Sequence, residues 1–176
     1  MRRCSRTYRA KRNGLPCHSL MEIERKFMVN RVPENLQLYP HEEIEQGYLC
    51  TSPTLRIRKA GDVFWLTVKE KVYTNSTAIH NREEEFRLTE DKFLMLKGKC
   101  IGKMINKTRY RIPLQQNPIS LTAELDIFHG IHEGLLLVEV EFPSSEVADS
   151  FTPPSWFGRD VSNQPQFRNS YLALQQ

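Results

Sequence analysis

The fold follows from strands in which charged and apolar residues alternate. The alternation is clearest where residues 22–27 read EIERKF and residues 137–142 read LVEVEF. Because successive side chains of a β-strand point to opposite faces, one face of the first stretch carries Glu22, Glu24 and Lys26, and one face of the second carries Glu139 and Glu141. The same period of two recurs at 54–59, 63–71, 82–88, 104–112 and 121–128, with turn-forming residues between these segments. The pattern predicts an antiparallel β fold, with residues 46–49 as a further strand start.

Three short segments are typical of helices. Thr89 is a capping residue for a helix that reaches about Lys97, with Gly98 as its stop, and Ser144 caps a second helix that reaches about Phe151. We expect a third helix over 168–174. No internal repeat or linker divides residues 21–176, so the sequence predicts one mainly β domain of the α+β class with a few packing helices.

Like charges share one face of each predicted strand. An ordinary solvated face mixes charges of opposite sign, and like charges about 7 Å apart cost free energy unless they are compensated. The bases concerned are Lys26, Arg56, Arg58, Lys69, Lys71, Lys107, Arg109 and Arg111, and the acids are Glu22, Glu24, Glu124, Asp126, Glu139 and Glu141.

A closed barrel would enclose these charged faces and leave no unpaired strand edge. Its lumen would suit a linear triphosphate held by the bases, with divalent cations on the carboxylates. The alternative is an ordinary antiparallel sheet with one solvated and one buried face.

The net charge of +4 comes from the first residues of the chain. Residues 1–20 contain six bases and no acid. Residues 21–176 contain the other 19 bases and all 21 acids, so their net charge is −2. We therefore expect no nucleic-acid partner. We interpret residues 1–20 as a basic leader that is disordered or not native, with Met21 as the true start. An organellar transit peptide or a phosphate-binding arm is the alternative.

The cysteines and the hydropathy of the sequence indicate in which cellular environment the protein is expected. The four cysteines are scattered and form neither a metal-binding spacing nor a disulfide framework, so we expect free thiols in a reducing, cytoplasmic environment. No apolar run approaches the roughly 18 residues of a membrane span, and we expect no membrane association.

The ordered set of motifs resembles that of the CYTH family, the triphosphate tunnel metalloenzymes. Residues 22–26 fit its ExExK signature, and the later motifs follow in order: QGYL at 46–49, LRIR at 55–58, TVK at 67–69, KTRY at 107–110, ELDIF at 124–128 and LVEVEF at 137–142. The tail WFGRDV at 156–161 looks like the small, single-domain bacterial-type members. The resemblance covers residues 21–174 and implies a closed eight-stranded antiparallel β-barrel that forms a tunnel.

The resemblance also implies site residues. It assigns the divalent metal, Mg²⁺ or Mn²⁺, to Glu22, Glu24, Asp126, Glu139 and Glu141. It assigns the phosphates to Lys26, Arg56, Arg58, Lys69, Lys107 and Arg109, and we add Lys71 from its strand face. Lys26, Lys69 and Tyr48 are the candidate catalytic residues, and Tyr48 lies at a position proposed as a proton acceptor.

The sequence departs from the family pattern at two positions. The Arg-x-Glu-aromatic-Glu motif of the fourth strand fits residues 81–88 only with a slip of one. Either Arg82 and Glu84 or Glu83 and Glu85 therefore point inward. The base on the C-terminal helix, often lysine, has Arg168 as its nearest candidate here.

The expected function is metal-dependent hydrolysis of a triphosphate, with inorganic tripolyphosphate ahead of nucleoside or thiamine triphosphate. A family adenylate cyclase is the alternative within the same fold, and a non-catalytic polyphosphate- or nucleotide-binding module is the alternative from another class. We expect a small phosphorylated substrate as partner and a monomer or homodimer.

Overall fold

The computed structural model describes residues 20–73, 78–116 and 119–175. The predicted leader at 1–20 lies outside the described residues except for residue 20, which opens the first strand. The predicted turns at 73–81 and 115–118 lie partly outside them.

Nine strands and three α-helices make up the described chain. The strands are β1 (Leu20–Val29), β2 (His41–Thr51), β3 (Thr54–Ala60), β4 (Val63–Val72), β5 (Ile79–Leu88), β6 (Ile101–Gln116), β7 (Ile119–His129), β8 (Leu136–Glu141) and β9 (Phe157–Asp160). The helices are α1 (Glu90–Lys97), α2 (Ser145–Ser150) and α3 (Asn169–Leu172), and single 3₁₀ turns occupy Leu36–Leu38, Gly130–His132 and Pro165–Phe167.

Eight of the strands close into an antiparallel barrel, which confirms the predicted fold class. They follow the order β5-β4-β3-β2-β6-β7-β8-β1, and pairing of β1 with β5 closes the ring. One edge of β1 pairs with β5 over 20–24 and then with β9 from Phe27 to Val29. The short β9, which the alternation pattern did not predict, thus continues the wall beyond the start of β5.

The two longer predicted helices begin at the capping residues that the sequence indicates. Thr89 accepts a hydrogen bond from the Lys92 backbone N–H, and Ser144 accepts one from that of Val147. Lys97 lies in the last turn of α1, where a cation favours the helix dipole.

The apolar core lies outside the barrel wall. Phe27 of β1 is 1% exposed and packs against the rings of Phe151 and Phe157, whose centroids lie 6.0 and 5.1 Å away. On another side Phe93 of α1 contacts Phe64 of β4 at 5.1 Å. The helices therefore cover the apolar faces of the strands, and the charged faces turn inward. None of the helices in the described ranges has the length and hydropathy needed to span a membrane.

The two ends of the barrel differ. The β3–β4 turn at Gly61 marks one end, called here the Gly61 end, and α3 lies at the other, the α3 end. There Ala173 accepts a 2.7 Å hydrogen bond from the Lys103 backbone N–H. Gly102 has φ +67, and a Cβ at this position would lie 2.1 Å from the Ala173 oxygen. Only glycine therefore lets the C-terminal segment approach the barrel this closely.

Candidate functional site

The barrel encloses a cavity of about 1150 Å³ that receives charged side chains from all eight strands. Almost all of the predicted strand-face charges line it, which confirms the inward orientation of these faces. The lining includes the acids Glu22, Glu24, Glu124, Glu139 and Glu141 and the bases Lys26, Arg56, Arg58, Lys69, Lys71, Lys107, Arg109, Arg111 and Arg168.

The side of the lumen formed by β3, β4 and β5, called here the basic wall, is organised in rows by strand register. From the Gly61 end inward, the rows are Arg58–Trp65–Arg87, Arg56–Thr67–Glu85, Thr54–Lys69–Glu83 and, across β4 and β5 alone, Lys71–Asn81. The orientation of β5 is therefore settled, because Glu83, Glu85 and Arg87 line the lumen.

The arginines of the basic wall are held by neighbouring polar groups and keep free donors. Arg56 donates to Thr67 Oγ1 at 3.2 Å and to Glu83 at 3.3 Å, while Arg58 donates to Glu85 at 3.0 Å. Thr67, which is fully buried, donates to the same Glu85 carboxylate. The Nε atoms of Arg56 and Arg58 are buried without a hydrogen-bond partner, and such orphaned donors suit an anion.

A buried ion-pair network lies at the centre of the barrel. Asp126, 1% exposed, accepts hydrogen bonds from Arg109 Nε and Nη2, both at 2.7 Å, and from Lys107 Nζ. Arg109 also contacts Glu139 at 2.8 Å, and Lys26 contacts the same carboxylate at 2.7 Å. Asp126 is therefore surrounded by bases and is not among the residues lining the cavity, in contrast to the other predicted metal ligands.

The opposite side of the lumen, formed by β1, β8 and β7, is called here the acidic wall. Glu24 lies directly opposite Glu141 in the β1–β8 register, and Glu124 lies opposite Glu139 in the β7–β8 register. Like charges placed opposite each other repel. Glu141 pairs with no base among the described residues, so the acidic wall carries uncompensated negative charge.

The pKa values of the acidic wall reflect this crowding. Burial, with the charge of Glu83 adding to it and Lys69 opposing it, raises the pKa of Glu22 to about 7. Burial and the charges of Glu124 and Glu24 raise the pKa of Glu141. A divalent cation would relieve both effects, and carboxylate oxygens are the ligands that Mg²⁺ prefers. Within the described ranges, however, no three His, Cys, Asp or Glu side chains are already gathered as a metal-binding group.

Two lysines of the lumen have opposite pKa shifts. Burial works to lower the pKa of Lys69, but Glu24, Glu22 and Glu83 outweigh it and raise that pKa, with Glu22 at 2.6 Å and Glu83 at 3.1 Å. Burial and the neighbouring Arg109 lower the pKa of Lys107 to about 8, against the attraction of Asp126 and Glu139. Of these two lysines, Lys107 thus has the more accessible neutral form near neutral pH.

Tyr48 lies within the lumen but is poorly suited to accept a proton. Its hydroxyl accepts a 3.0 Å hydrogen bond from Gln46 Nε2, and both side chains are almost fully buried. Burial raises the pKa of Tyr48 to about 12. At neutral pH the phenol therefore keeps its proton and is able to donate a hydrogen bond.

The C-terminal segment contributes to the α3 end of the lumen. Arg168 lines the cavity together with Asn169 and Ser170, as the resemblance led us to expect for a C-terminal base. The Phe167 carbonyl accepts a 3.4 Å hydrogen bond from Lys26 Nζ, so this segment contacts a predicted phosphate-binding lysine directly. Lys71 lies at the same end, with its ammonium 5.2 Å from the Tyr73 ring centroid.

Some lumen residues escaped sequence reasoning. Gln46 and Thr67 carry no charge, and Trp65 looks like a core residue, so the count of charged strand faces passed over them. Glu83, Glu85 and Arg87 lie in a segment where charges occupy both faces. They could be suspected only because this segment matches the fourth-strand motif of the family that the sequence resembles. That match did not decide which face of the strand points into the lumen.

No protein-family model matches the chain, but it is similar to two bacterial proteins of the same name. It is 38% identical over 160 residues to an inorganic triphosphatase of Nitrosomonas europaea, covering 88% of this chain and 98% of the relative. It is 32% identical over 154 residues to an inorganic triphosphatase of Acetivibrio thermocellus, covering 86% of this chain and 92% of the relative. The crystal structure of an inorganic triphosphatase superimposes with a TM-score of 0.64 at 35% identity, covering 90% of this chain and 98% of the other. Identity of this extent over nearly the whole length of the relatives shows that the chain belongs to the inorganic triphosphatase family.

Proposed function

We propose that this protein hydrolyses a triphosphate in the barrel lumen with the help of a divalent metal ion, and that inorganic tripolyphosphate is its preferred substrate. We further propose that it is a small single-domain member of the CYTH family. The observation that carries the proposal is the division of one enclosed lumen into a basic wall and an acidic wall. The names of the two bacterial relatives support the same substrate.

The ion pairs of the lumen link binding of the anion to binding of the metal. Without substrate, Lys69 pairs with Glu22 and Lys26 with Glu139. A triphosphate that takes these lysines removes a counter-ion from Glu22 and leaves Glu139 with Arg109 alone, and losing a counter-ion in a buried site is costly. A divalent cation would neutralise them, so we expect each ligand to strengthen binding of the other.

Glu22, Glu24, Glu139 and Glu141 fit a hard divalent cation such as Mg²⁺ or Mn²⁺ by their oxygen chemistry and by the excess negative charge of the acidic wall. When bound, the metal would polarise phosphate oxygens and neutralise developing charge. Asp126 takes a different role in this proposal. Its carboxylate already serves Arg109 and Lys107, so it positions these two bases.

The bases of the lumen bind and orient the phosphates. Arg56 and Arg58 offer buried, unpartnered Nε donors, and Lys26, Lys69 and Arg109 are the ammonium and guanidinium groups at the centre. Phosphoryl transfer depends mostly on positioning and charge stabilisation, which this set can provide without a protein nucleophile. Lys71 and Arg168 extend the positive charge towards the α3 end.

Proton transfer is assigned to Lys107 in preference to Tyr48. Lys107 lines the lumen, and burial with the charge of Arg109 lowers its pKa to about 8, so the neutral fraction of this lysine would be able to accept a proton from the attacking water. Tyr48, with a pKa of about 12, instead donates a hydrogen bond to a phosphate oxygen. Gln46 occupies one acceptor site of the phenol and so directs its O–H towards the lumen.

Phosphate release from tripolyphosphate, ATP and thiamine triphosphate, each with Mg²⁺, Mn²⁺ or EDTA, tests the proposal. We expect metal-dependent release, fastest with tripolyphosphate. The absence of metal-dependent release from every triphosphate would overturn it.

Two further measurements address the alternatives. Accumulation of cyclic AMP from ATP would indicate a cyclase. For Glu139→Ala, retained binding with lost turnover indicates an enzyme, whereas unchanged wild-type behaviour would indicate a binding module.

A further inference from the structure

Exposed apolar side chains form a group outside the barrel, where α1 leads into β6 and the C-terminal segment lies beside them. Leu94 and Met95 of α1 are 55% and 69% exposed, and Ile101 at the start of β6 is also exposed. Leu174 is exposed too, and its Cδ2 atom lies 3.2 Å from the position that a Cβ of Gly102 would take. Single exposed apolar side chains are common, but a group on adjacent elements indicates a contact surface. This group and the lysines around it are called here the α1–β6 surface.

The lysines of the α1–β6 surface keep a free charge. No described carboxylate pairs with three of them, whereas the neighbouring Lys97 pairs with Glu45 at 2.6 Å. Residues 92–123 contain no acid, so the positive charge is not compensated within this part of the chain. The three lysines are Lys92, Lys99 and Lys103, and all are exposed.

This mixture of apolar and basic side chains fits an anionic lipid surface better than a protein partner. Lysine is depleted from the centres of protein–protein interfaces, where the burial of its charge is costly. At a membrane the apolar side chains enter the boundary between headgroups and acyl chains, while the lysines stay level with the anionic headgroups. The acids of α1, Glu90 and Asp91, lie in its first turn, at the opposite end of the helix from Lys99.

A peripheral contact of this kind needs no spanning segment. A transmembrane helix requires about 20 consecutive apolar residues, whereas a peripheral surface requires only a few apolar side chains with bases around them. Here these side chains come from α1, from β6 and from the C-terminal segment, so no continuous apolar run marks them in the sequence.

We propose that the α1–β6 surface attaches this protein peripherally to membranes that contain anionic lipids. Leu94, Met95, Ile101 and Leu174 enter the headgroup region, and the three free lysines bind the anionic headgroups. The attachment does not depend on the proposed function, because none of these side chains lines the lumen.

Sedimentation of the full chain with lipid vesicles tests the attachment. We expect binding to vesicles of equal parts phosphatidylcholine and phosphatidylserine, little binding to phosphatidylcholine alone, and weaker binding at high salt. Lys99→Gln should weaken binding to the mixed vesicles by about fivefold, the effect of one lysine near an anionic surface. Met95→Gln should weaken it by a similar factor, because it replaces an apolar side chain by a polar one of similar size.

Arg82→Gln is the matched control, because it removes one exposed base from the outer face of β5, outside the α1–β6 surface. It should leave binding unchanged. Absence of wild-type binding to the mixed vesicles would overturn the proposal. Equal weakening by all three variants would show a general electrostatic attraction, and binding that neither Lys99→Gln nor Met95→Gln changes would place the contact elsewhere, so both results would also overturn it. A dimer in solution that Met95→Gln dissociates would do the same, since a second copy of the chain would then cover the surface.

Discussion

Removal of the Asp126 carboxylate should destabilise the barrel more than it changes the response to metal. Asp126 is 1% exposed and accepts two 2.7 Å hydrogen bonds from Arg109 in addition to its contact with Lys107. In Asp126→Asn the volume stays the same, but two buried cations lose their shared counter-ion. Breaking a buried ion pair from one side typically costs about 3–5 kcal/mol.

Urea and thermal unfolding followed by circular dichroism would measure this loss. For a chain of this size, 1 kcal/mol corresponds to about 2–4 °C, so the melting temperature should fall by about 6–20 °C. Glu124→Gln is the control from the same strand and the same face. Glu124 is 21% exposed on its side chain and shares Arg109 with other acids, so its loss should cost about 1 kcal/mol or less.

The opposite outcome would assign Asp126 to the metal. In that outcome the free energy of unfolding of Asp126→Asn would lie within about 1 kcal/mol of the wild-type value, while the variant would need far more Mg²⁺ for activity. The carboxylate would then be a metal ligand, and the counter-ion argument would be wrong. Unfolding should be measured with and without Mg²⁺, because a bound metal would itself add stability.

Three further predictions follow from the lumen. Glu141→Gln should leave the melting temperature unchanged or slightly raised, because it relieves repulsion by Glu24, and should raise the Mg²⁺ concentration needed for half-maximal activity. Glu84→Gln, on the outer face of β5, should do neither. Tyr48→Phe should slow turnover by about tenfold without changing how turnover depends on pH. If the rise of turnover with increasing pH disappears in this variant, the phenol is the base. With Lys107 as the proton acceptor, turnover should rise with pH and level off above about 8, since the neutral amine accumulates as pH passes the lowered pKa. Lys107→Arg, which stays protonated, should remove this limb, and an unchanged profile would exclude the lysine as the base.

The alternation of residues along single strands was enough to predict most of the lumen. In β1, β3 and β6 most of the charged side chains occupy one face and most of the apolar ones the other, with exceptions such as Arg25 and Lys59, so the pleat assigns most of the charges to one side. Sequence reasoning was weaker for β5. Glu83, Glu84 and Glu85 put charge on both faces, so periodicity carries no information there. Pairing of β5 with β4, which sets Lys69 opposite Glu83, decides the register.

β9 and the surroundings of Asp126 show two other limits. β9 has only four residues, too few for a recognisable alternation, and it forms because β1 offers an edge beyond the start of β5. The face of Asp126 was predicted correctly, but its partners were not. A carboxylate on a lumen face can serve a metal or a base, and the choice depends on which strand lies beside it.

Local chemistry along the chain therefore settles which side chains share a face, because the pleat has a period of two whatever the strand packs against. Ion pairing across the lumen depends on strands that are far apart in the sequence. Glu22 and Lys69 are 47 positions apart, and Arg109 and Glu139 are 30 apart. Closure of the barrel brings these charges within hydrogen-bonding distance and removes the water between them. Their pKa values, their partners and the division into an acidic and a basic wall all follow from that closure.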